Sequence, residues 1–201
     1  MRLTRTQPPG GLGFADEVWW SRLAQPEQPR WIEERGIPRL QELERPKHDA
    51  DPKARACYGV LLRGAAQPAD QMLLRFVDGR PVSAVTVDCL AGCSERLAAQ
   101  AITALFLLWD NASWPKSQAV RTGLRRHHQR VKATGQGVRS VAFRLPVQSP
   151  WLHPIEPKGV HGKRAVAEAD RMLSAEERET RVYAYYGCHR EAHLVMPKKV
   201  A

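Results

Sequence analysis

The pattern of apolar and polar positions near the start of the chain is typical of a β-strand. From Leu12 to Trp20 every second residue is apolar apart from Asp16, so these residues share one face of the predicted strand. A carboxylate among apolar neighbours is costly to bury unless a cation or hydrogen bonds compensate it. Asp16 is therefore either a functional group or an acid at a wetted end of the sheet, and the pattern alone leaves both interpretations open.

The rest of the first half predicts two more strands and a polar excursion. Apolar and β-branched residues predict strands over residues 55–63 and 71–77, and an Asp-Gly turn closes the second of them. The stretch from 24 to 53 is rich in proline and charge, which predicts a surface excursion with at most short strands around Trp31. Residues 1–11 are basic and rich in proline and glycine, and we expect a disordered lead-in there.

Two helices are predicted around an apolar strand in the middle of the chain. Apolar residues recur at helical spacing from about residue 81 to 98, and Pro81 suits the first turn of that helix. Residues 104–109 form a short, continuously apolar run, which is typical of a central strand covered on both faces. A second helix is predicted from 117 to about 134, because an amphipathic stripe is followed there by two glycines.

The remaining segments complete an alternating pattern of strands and helices. A strand is predicted over residues 138–145, where a proline closes it. Pro154 opens a helix that carries Glu156 in its first turn, and Ser174 begins a capping-box sequence for a last helix that ends near Gly187. Early strands followed by alternating helices and strands predict an α/β fold around a mixed sheet.

Composition limits the class of protein. A chain of 201 residues with 43% hydrophobic and 26% charged residues is long enough for one domain with a real core. The net charge of +10 favours a polyanionic partner, with nucleic acid first and an anionic membrane surface second. No apolar run approaches the roughly 18 residues of a membrane span. The basic N-terminus lacks the apolar segment of a secretory signal, so we expect a cytoplasmic protein.

The four cysteines are too few and too scattered for a disulfide framework. Cys89 and Cys93 are four residues apart, so one face of a helix would carry both thiols. No further Cys or His pair stands at the usual spacing of a zinc site, and we therefore expect buried, reduced thiols.

The most unusual stretch of the chain runs from Asp110 to Glu156. No Asp or Glu occurs in the 45 residues between them, whereas the same interval contains eight Lys or Arg residues. These cations are Lys116, Arg121, Arg125, Arg126, Arg130, Lys132, Arg139 and Arg144. Two isolated carboxylates therefore bracket a cationic segment, a pattern suited to holding metal ions against a polyanionic backbone.

Several of these cations fall on one predicted helix. Arg121, Arg125, His128 and Lys132 repeat at helical spacing and form a stripe beside the apolar one. A charged stripe is usually a solvated face of mixed sign, but no acid balances this one, which favours contact with phosphates. The predicted DNA-contacting residues are Lys116, Arg121, Arg125, Arg126, Arg130 and Lys132.

Three carboxylates in this order can support phosphodiester chemistry. Cleavage and strand transfer can use two divalent ions about 3.5–4 Å apart, and Mg²⁺ or Mn²⁺ needs only a few carboxylate ligands. Asp16 on the first strand and Asp110 at the end of the central strand lie side by side if those strands pair. Glu156 can then approach from the helix that follows.

Short motifs around these acids resemble the bacterial insertion-sequence DDE transposases of the mariner-like superfamily. Phe14-Ala15-Asp16-Glu17 resembles the strand that carries the family's first acid, and Leu108-Trp109-Asp110-Asn111-Ala112-Ser113 resembles its second-acid motif. The third motif runs from Leu145-Pro146-Val147-Gln148-Ser149-Pro150 to Pro154-Ile155-Glu156. The resemblance covers about residues 13–201. It implies an RNase H-like, integrase-type fold, in which helices flank a mixed sheet.

The resemblance implies a metal-dependent enzyme that cuts transposon ends and joins the 3′-hydroxyl to target DNA. Its catalytic and metal-binding residues would be Asp16, Asp110 and Glu156, which would hold two Mg²⁺ or Mn²⁺ ions. The residues expected to orient these acids are Asn111, Ser113 and His153. The expected partners are double-stranded DNA, at transposon ends and target, and a second copy of the chain in the active homodimer. The implied setting is bacterial and nucleoid-associated, without a membrane.

The chain departs from the family at two positions and at its start. The family usually has His where this chain has Pro115, and Asn where it has His153. Relatives carry an N-terminal helix-turn-helix region that reads transposon ends, whereas only 15 residues precede Asp16 here. We therefore expect one catalytic domain over residues 12–201 without that region. Two alternative hypotheses stay open: an inactive, truncated remnant that only binds DNA, and a different RNase H-like nuclease.

Overall fold

The fold is built on a six-stranded mixed sheet. The structure is a computed structural model, and it describes residues 10–26, 40–63, 69–109, 117–146, 149–167 and 171–196. The strands are β1 (Gly10–Ser21), β2 (Ala24–Pro26), β3 (Leu40–Glu42), β4 (Ala54–Arg63), β5 (Gln71–Asp78), β6 (Ala104–Trp109), β7 (Arg139–Arg144) and β8 (Leu194–Val195). The α-helices are α1 (Ser83–Ala99), α2 (Gln118–Thr134), α3 (Ile155–Ala165) and α4 (Ala175–Tyr186). A 3₁₀ turn at Pro150–Leu152 precedes α3.

The main sheet has the strand order β7-β6-β1-β4-β5-β8. β1 is parallel to β6 and antiparallel to β4, and β6 is parallel to β7. β1 therefore lies inside the sheet with hydrogen-bonded neighbours on both sides, while β2 and β3 form a separate antiparallel pair. The α/β class and the mixed sheet predicted from the sequence pattern are confirmed.

Alternation along β1 divides its side chains between the two faces of the sheet. Ala15 packs with Leu107 of β6 and Val120 of α2, in the core that also contains α1. Phe14, the preceding residue, packs with Ile155 of α3 on the opposite face. The sheet therefore has α1 and α2 on one face and α3 and α4 on the other, because successive side chains of a strand point to opposite faces.

Most predicted elements are confirmed, with small shifts at their ends. β1, β4, β5, β6 and β7 lie where strands were predicted, and the four helices coincide with predicted helices. Gly135 ends α2 with a φ of 66°, a left-handed conformation that glycine adopts without steric strain. None of the helices within the described ranges is long and apolar enough to cross a membrane.

Two element ends were predicted wrongly. Gly10 and Gly11 belong to β1, so the predicted disordered lead-in is too long, and residues 1–9 lie outside the described part of the chain. Pro81 lies before the helix rather than in its first turn, because α1 begins only at Ser83. Gly10 and Gly11 belong to β1 because they pair with Ala104 and Leu105 of β6. Glycine has no side chain, so no alternating pattern could mark these two residues as part of a strand.

Three further strands add to what the pattern predicted. β2 and β3 lie within the predicted surface excursion, and the Trp31 segment falls outside the described residues. β8 was not predicted, because a two-residue strand is too short to show an alternating pattern. It forms only by pairing with the end of β5, where Leu194 is aligned with Val77.

β6 is covered on one face and only partly covered on the other, so the prediction of burial on both faces is wrong. Leu105 and Leu107 are buried in the core beneath α1 and α2, whereas Phe106 between them is 41% exposed. The reason is that α3 and α4 cover the opposite face mainly over β1, β4 and β5. A continuously apolar run therefore does not by itself identify a strand that is buried on both faces.

A capping box fixes the start of α4. The Ser174 hydroxyl accepts a hydrogen bond from the Glu177 N–H, and the Glu177 side chain accepts one from the Ser174 N–H. Hydrogen bonds from Arg171 and from the Ser174 backbone lower the pKa of Glu177 to about 2. Glu177 is therefore ionised at neutral pH and complements the positive end of the helix dipole.

The predicted burial of the cysteines is confirmed for three of the four. Cys57, Cys89 and Cys93 are buried, and all four thiols are free. Burial raises the pKa of the Cys93 thiol to about 12, which keeps it protonated at neutral pH. Cys188 is half-buried, and its thiol donates a hydrogen bond to the Met72 carbonyl at 2.9 Å.

Candidate active site

Asp16 lies inside the sheet, on the face that carries α3. On β1 it pairs with Gly59 of β4, and directly paired residues of antiparallel strands point to the same face. Phe14 and Val18, two residues to either side, both lie against α3, and the period of two gives Asp16 the same face. The Asp16 carboxylate is half-buried and accepts a hydrogen bond from the Glu17 N–H at 2.8 Å.

A glycine in β4 lets α3 approach the sheet at this level. A Cβ atom on Gly59 would lie 3.2 Å from Cδ1 of Ile155, the first residue of α3, so a larger side chain would push the helix outwards. The first turn of α3, which contains Glu156, therefore lies over the position where Gly59 pairs with Asp16. Sequence reasoning missed Gly59, although a single glycine inside a strand is a signal of close approach.

His153 holds Glu156 through two contacts. Its ring Nδ1 lies 3.2 Å from Glu156 Oε1, and its backbone carbonyl accepts a hydrogen bond from the Glu156 N–H at 3.1 Å. The His153 side chain is fully buried, and its ring centroid lies 6.3 Å from that of Phe14, whereas the Glu156 side chain is 40% exposed. Nε2 of His153 has no hydrogen-bond partner among the residues that the structure describes. Glu156 thus faces solvent while the histidine that contacts it is fixed by the core.

The described part of β6 ends beside the strand of Asp16. Trp109 pairs with Ala15 in parallel register, and each of these residues directly precedes a predicted acid. Trp109 belongs to the core beneath α1 and α2, whereas Leu108 packs with Phe14 on the α3 face. Asp110 itself lies outside the described residues. The same holds for Asn111, Ser113 and Lys116.

The donor atoms on this face fit a hard divalent cation. Asp16 and Glu156 offer carboxylate oxygens, which Mg²⁺ and Mn²⁺ prefer over nitrogen or sulfur ligands. Within the described ranges, no group of three or more His, Cys, Asp or Glu side chains lies close enough together to hold a metal ion. The third predicted ligand, Asp110, falls outside those ranges, so the set of three acids stays a prediction.

The chain is similar to several solved structures, although no family model and no curated sequence matches it. The Mos1 transposase paired-end complex with the left transposon end has a TM-score of 0.56 and 16% identity, over 89% of this chain and 48% of that one. The Mos1 strand transfer complex has a TM-score of 0.53 and 14% identity, over 90% and 48%. The Mos1 mariner paired-end complex with Mn has a TM-score of 0.53 and 16% identity, over 89% and 48%.

The agreement extends over 89–90% of this chain. The chain has the RNase H-like fold. It spans about half the length of these solved proteins, since 48% of each of the three is covered. The RNase H-like, mixed-sheet architecture expected from the sequence is thereby confirmed.

In this RNase H-like domain, the cationic helix and Asp16 lie on opposite faces of the sheet. α2 packs through Val120 on the core that it shares with α1, whereas α3 covers the other face. The exposed cations of α2 are Arg121, Arg125, Arg126, Arg130 and Lys132, and the helix contains no acid. The sequence places this segment between two acids, but the structure puts the helix on the face opposite to Asp16 and to α3, which carries Glu156. The reason is that α2 is the crossover between the parallel strands β6 and β7, and such a helix packs on a single face.

Proposed function

We propose that this chain is the catalytic domain of a mariner-like DDE transposase, with Asp16, Asp110 and Glu156 as its three acids. The observation that carries the proposal is that Asp16 and the first turn of α3, which bears Glu156, meet on one face of an RNase H-like sheet. The solved structures that share the fold are transposase complexes. Their fold supports the same assignment for a chain whose acid motifs resemble that family.

The register of β1 and β6 supports Asp110 as the second acid. Leu108 lies on the Asp16 face, so the period of two predicts that Asp110 faces the same side. Trp109 pairs with Ala15, which predicts that the two acids that follow are neighbours on adjacent strands. Adjacent strands are about 4.8 Å apart, a spacing at which two carboxylates can share ions that lie about 4 Å from each other.

Each side chain has a definite task in the proposed reaction. Two divalent ions, when bound, would activate the attacking oxygen and stabilise the leaving oxygen of the phosphodiester. Asp16 would bind the ions from a strand that is hydrogen-bonded on both sides, which restricts the position of its carboxylate. Glu156 would bind them from the start of a helix, and the 3.2 Å contact with His153 restricts the orientation of its carboxylate.

The finer features of the proposal follow from the family resemblance. The substrates are the double-stranded ends of a bacterial insertion sequence and its target DNA, and the cofactor is Mg²⁺ or Mn²⁺ with two ions per site. The active form is a homodimer that associates with the nucleoid. The net charge of +10 supports a polyanionic substrate, and one solved neighbour is a mariner paired-end complex with Mn.

A plasmid-nicking assay tests the proposed function. Supercoiled plasmid incubated with the chain and Mg²⁺ or Mn²⁺ should become nicked or linear, and EDTA should prevent this. If the protein binds the plasmid but leaves it supercoiled with both metals, cleavage is not its function. A preference for RNA–DNA hybrids over duplex DNA would instead favour a different nuclease of the same fold.

DNA binding without cleavage is the second candidate function. It is favoured by the position of α2, whose cations lie on the face opposite to Asp16. Phosphate contacts through that helix do not require an intact set of acids. A transposase domain that has lost cleavage would therefore keep its salt-dependent affinity for DNA.

Neutralising two cations of α2 should weaken DNA binding and flatten its dependence on salt. Arg125→Gln/Lys132→Gln removes two exposed charges, and each lost phosphate contact should reduce the log–log salt slope by about 0.9. Fluorescence anisotropy with a duplex between about 50 and 200 mM salt measures the slope. Arg80→Gln is the control, because Arg80 is exposed in the segment before α1. An unchanged slope in the double variant would exclude Arg125 and Lys132 as phosphate contacts.

Substitutions of His153 should separate the positioning of Glu156 from the stability of the core. His153→Ala removes the ring that contacts the carboxylate, so the cleavage rate should fall by about 10- to 100-fold with little change in DNA affinity. His153→Asn keeps a side chain that can donate a hydrogen bond, and its rate should fall by less than about 10-fold. Both leave space in the core, and thermal unfolding measures that effect separately. A wild-type cleavage rate in His153→Ala would show that the ring does not position Glu156.

A further inference from the structure

Two aromatic side chains stand exposed on the part of the sheet that α3 and α4 leave uncovered. Phe106 of β6 is 41% exposed and Phe143 of β7 is 47% exposed. Their rings are stacked, with a centroid distance of 6.3 Å and an interplanar angle of 28°. We term this pair the Phe106–Phe143 platform. Adjoining large apolar side chains left in water mark a binding surface more often than isolated ones do.

The platform lies on the same face of the sheet as Asp16. Leu105 and Leu107 point into the core beneath α1 and α2, so Phe106 between them points to the opposite face. Phe143 pairs with Leu108, which packs on the α3 face. The platform is therefore a lateral continuation of the surface that bears the predicted acids.

The strand register gives the distance from the platform to Asp16. Phe143 is aligned across the sheet with Leu108 and then with Phe14, and Phe14 precedes Asp16 by two residues. Two strand spacings of about 4.8 Å and a rise of about 6.7 Å along the strand give a separation of roughly 12 Å. At about 3.4 Å per stacked base, this is the length of roughly three or four nucleotides.

Cations border the platform on two sides. Arg139 is exposed on β7, and because it precedes Phe143 by four residues it shares the same face. Arg63 of β4 lies on the other side, with its Cζ 5.8 Å from the ring centroid of Phe14, and it pairs with Asp70. Exposed aromatic rings beside cations are how sheet surfaces bind single-stranded nucleic acid, because bases stack on the rings while cations attract the backbone.

We propose that the Phe106–Phe143 platform stacks unpaired bases of the DNA strand that enters the candidate site. Unpaired bases are the fitting ligand because a ring can stack only on a base face, and the faces of duplex bases are already stacked on their neighbours. The inference rests on the proposed function in one respect, namely that the DNA is cut at the candidate site. Its ligand chemistry can nevertheless be tested without cleavage.

The test compares two oligonucleotides that differ only in their bases. A dT 12-mer and an abasic 12-mer carry the same backbone charge, and fluorescence anisotropy in EDTA measures the affinity of the whole chain for each. Stacking contributes about 5- to 150-fold in affinity per base, so the chain should prefer the dT strand by at least about 5-fold. Phe106→Ser/Phe143→Ser should reduce this ratio to about one, and Phe106→Tyr/Phe143→Tyr should keep it.

A matched control and two contrary outcomes complete the test. Tyr185 on α4 is also 47% exposed, over the other half of the sheet, and Tyr185→Ser should leave the ratio unchanged. Equal affinity for both strands, with duplex binding intact, would overturn the inference. The inference would also be overturned if Phe106→Ser/Phe143→Ser kept the preference for the dT strand but sedimented as a smaller species than the wild type. That result would show that the platform is covered by a second copy of the chain. If the chain does not nick plasmid but still prefers the dT strand over the abasic strand, the proposed function is refuted and the stacking inference stands.

Discussion

Asp16→Asn is expected to lower the rate of metal-dependent DNA cleavage by roughly 10³-fold while the fold stays intact. Asparagine has nearly the same shape, and its side-chain oxygen can still accept the hydrogen bond from the Glu17 N–H. The substitution therefore removes mainly the negative charge that would hold the ions. Metal ions contribute several kcal/mol to phosphoryl chemistry, and a loss of about 4 kcal/mol corresponds to this factor. Plasmid nicking with Mg²⁺ measures the rate, and thermal unfolding measures stability.

The same chemical change at another strand position provides the control. Asp78 is exposed at the end of β5, and Asp78→Asn should cleave at the normal rate. Asp110→Asn and Glu156→Gln should both lose activity as Asp16→Asn does, because one missing ligand disables a site of three. If Asp16→Asn keeps more than about a tenth of the wild-type cleavage rate, the assignment of Asp16 as a metal ligand is wrong. Equal losses at Asp16 and Asp78 would point to a general effect of charge.

The position of Asp16 could be predicted from the sequence because it breaks a regular pattern. Apolar residues two positions away on either side give it the face of Phe14 and Val18, and the structure confirms that face. The start of α3 was equally predictable, since a proline and a first-turn acid mark a helix N-terminus. Each of these signals is local. They depend on residues within one turn or two strand positions, which is the range over which a sequence pattern determines structure.

The distribution of segments between the two faces of the sheet could not be predicted in this way. The acid-free stretch places the cations of α2 next to Asp110 and Glu156 in the sequence, yet α2 lies on the face opposite to α3. Phe106 lies in a run as apolar as that of a buried strand, and only the position of α3 and α4 leaves it exposed. Burial here depends on which helix covers which strand, and that depends on contacts between distant parts of the chain.

A buried carboxylate near the C-terminus connects three elements of the fold. Glu179 of α4 is 1% exposed and pairs with Arg55 of β4. His193, which immediately precedes β8, has its Nε2 2.8 Å from Glu179 Oε2. Arg190 approaches the same oxygen to 3.7 Å. Removing one member of a buried ion pair leaves the others without compensation, and this typically costs about 3–5 kcal/mol.

Glu179→Gln is therefore expected to destabilise the protein by about 3 kcal/mol, at the lower end of that range. Arg55 and His193 are 25% and 24% exposed, so water can partly solvate them after the charge is lost. For a chain of this size, the melting temperature should fall by about 6–12 °C, and amide exchange at Leu194 should accelerate as β8 detaches. Glu176 on the same helix also pairs with Arg190 but is 73% exposed, so Glu176→Gln should cost less than about 0.5 kcal/mol. Equal losses for the two variants would show that burial does not determine the contribution of Glu179.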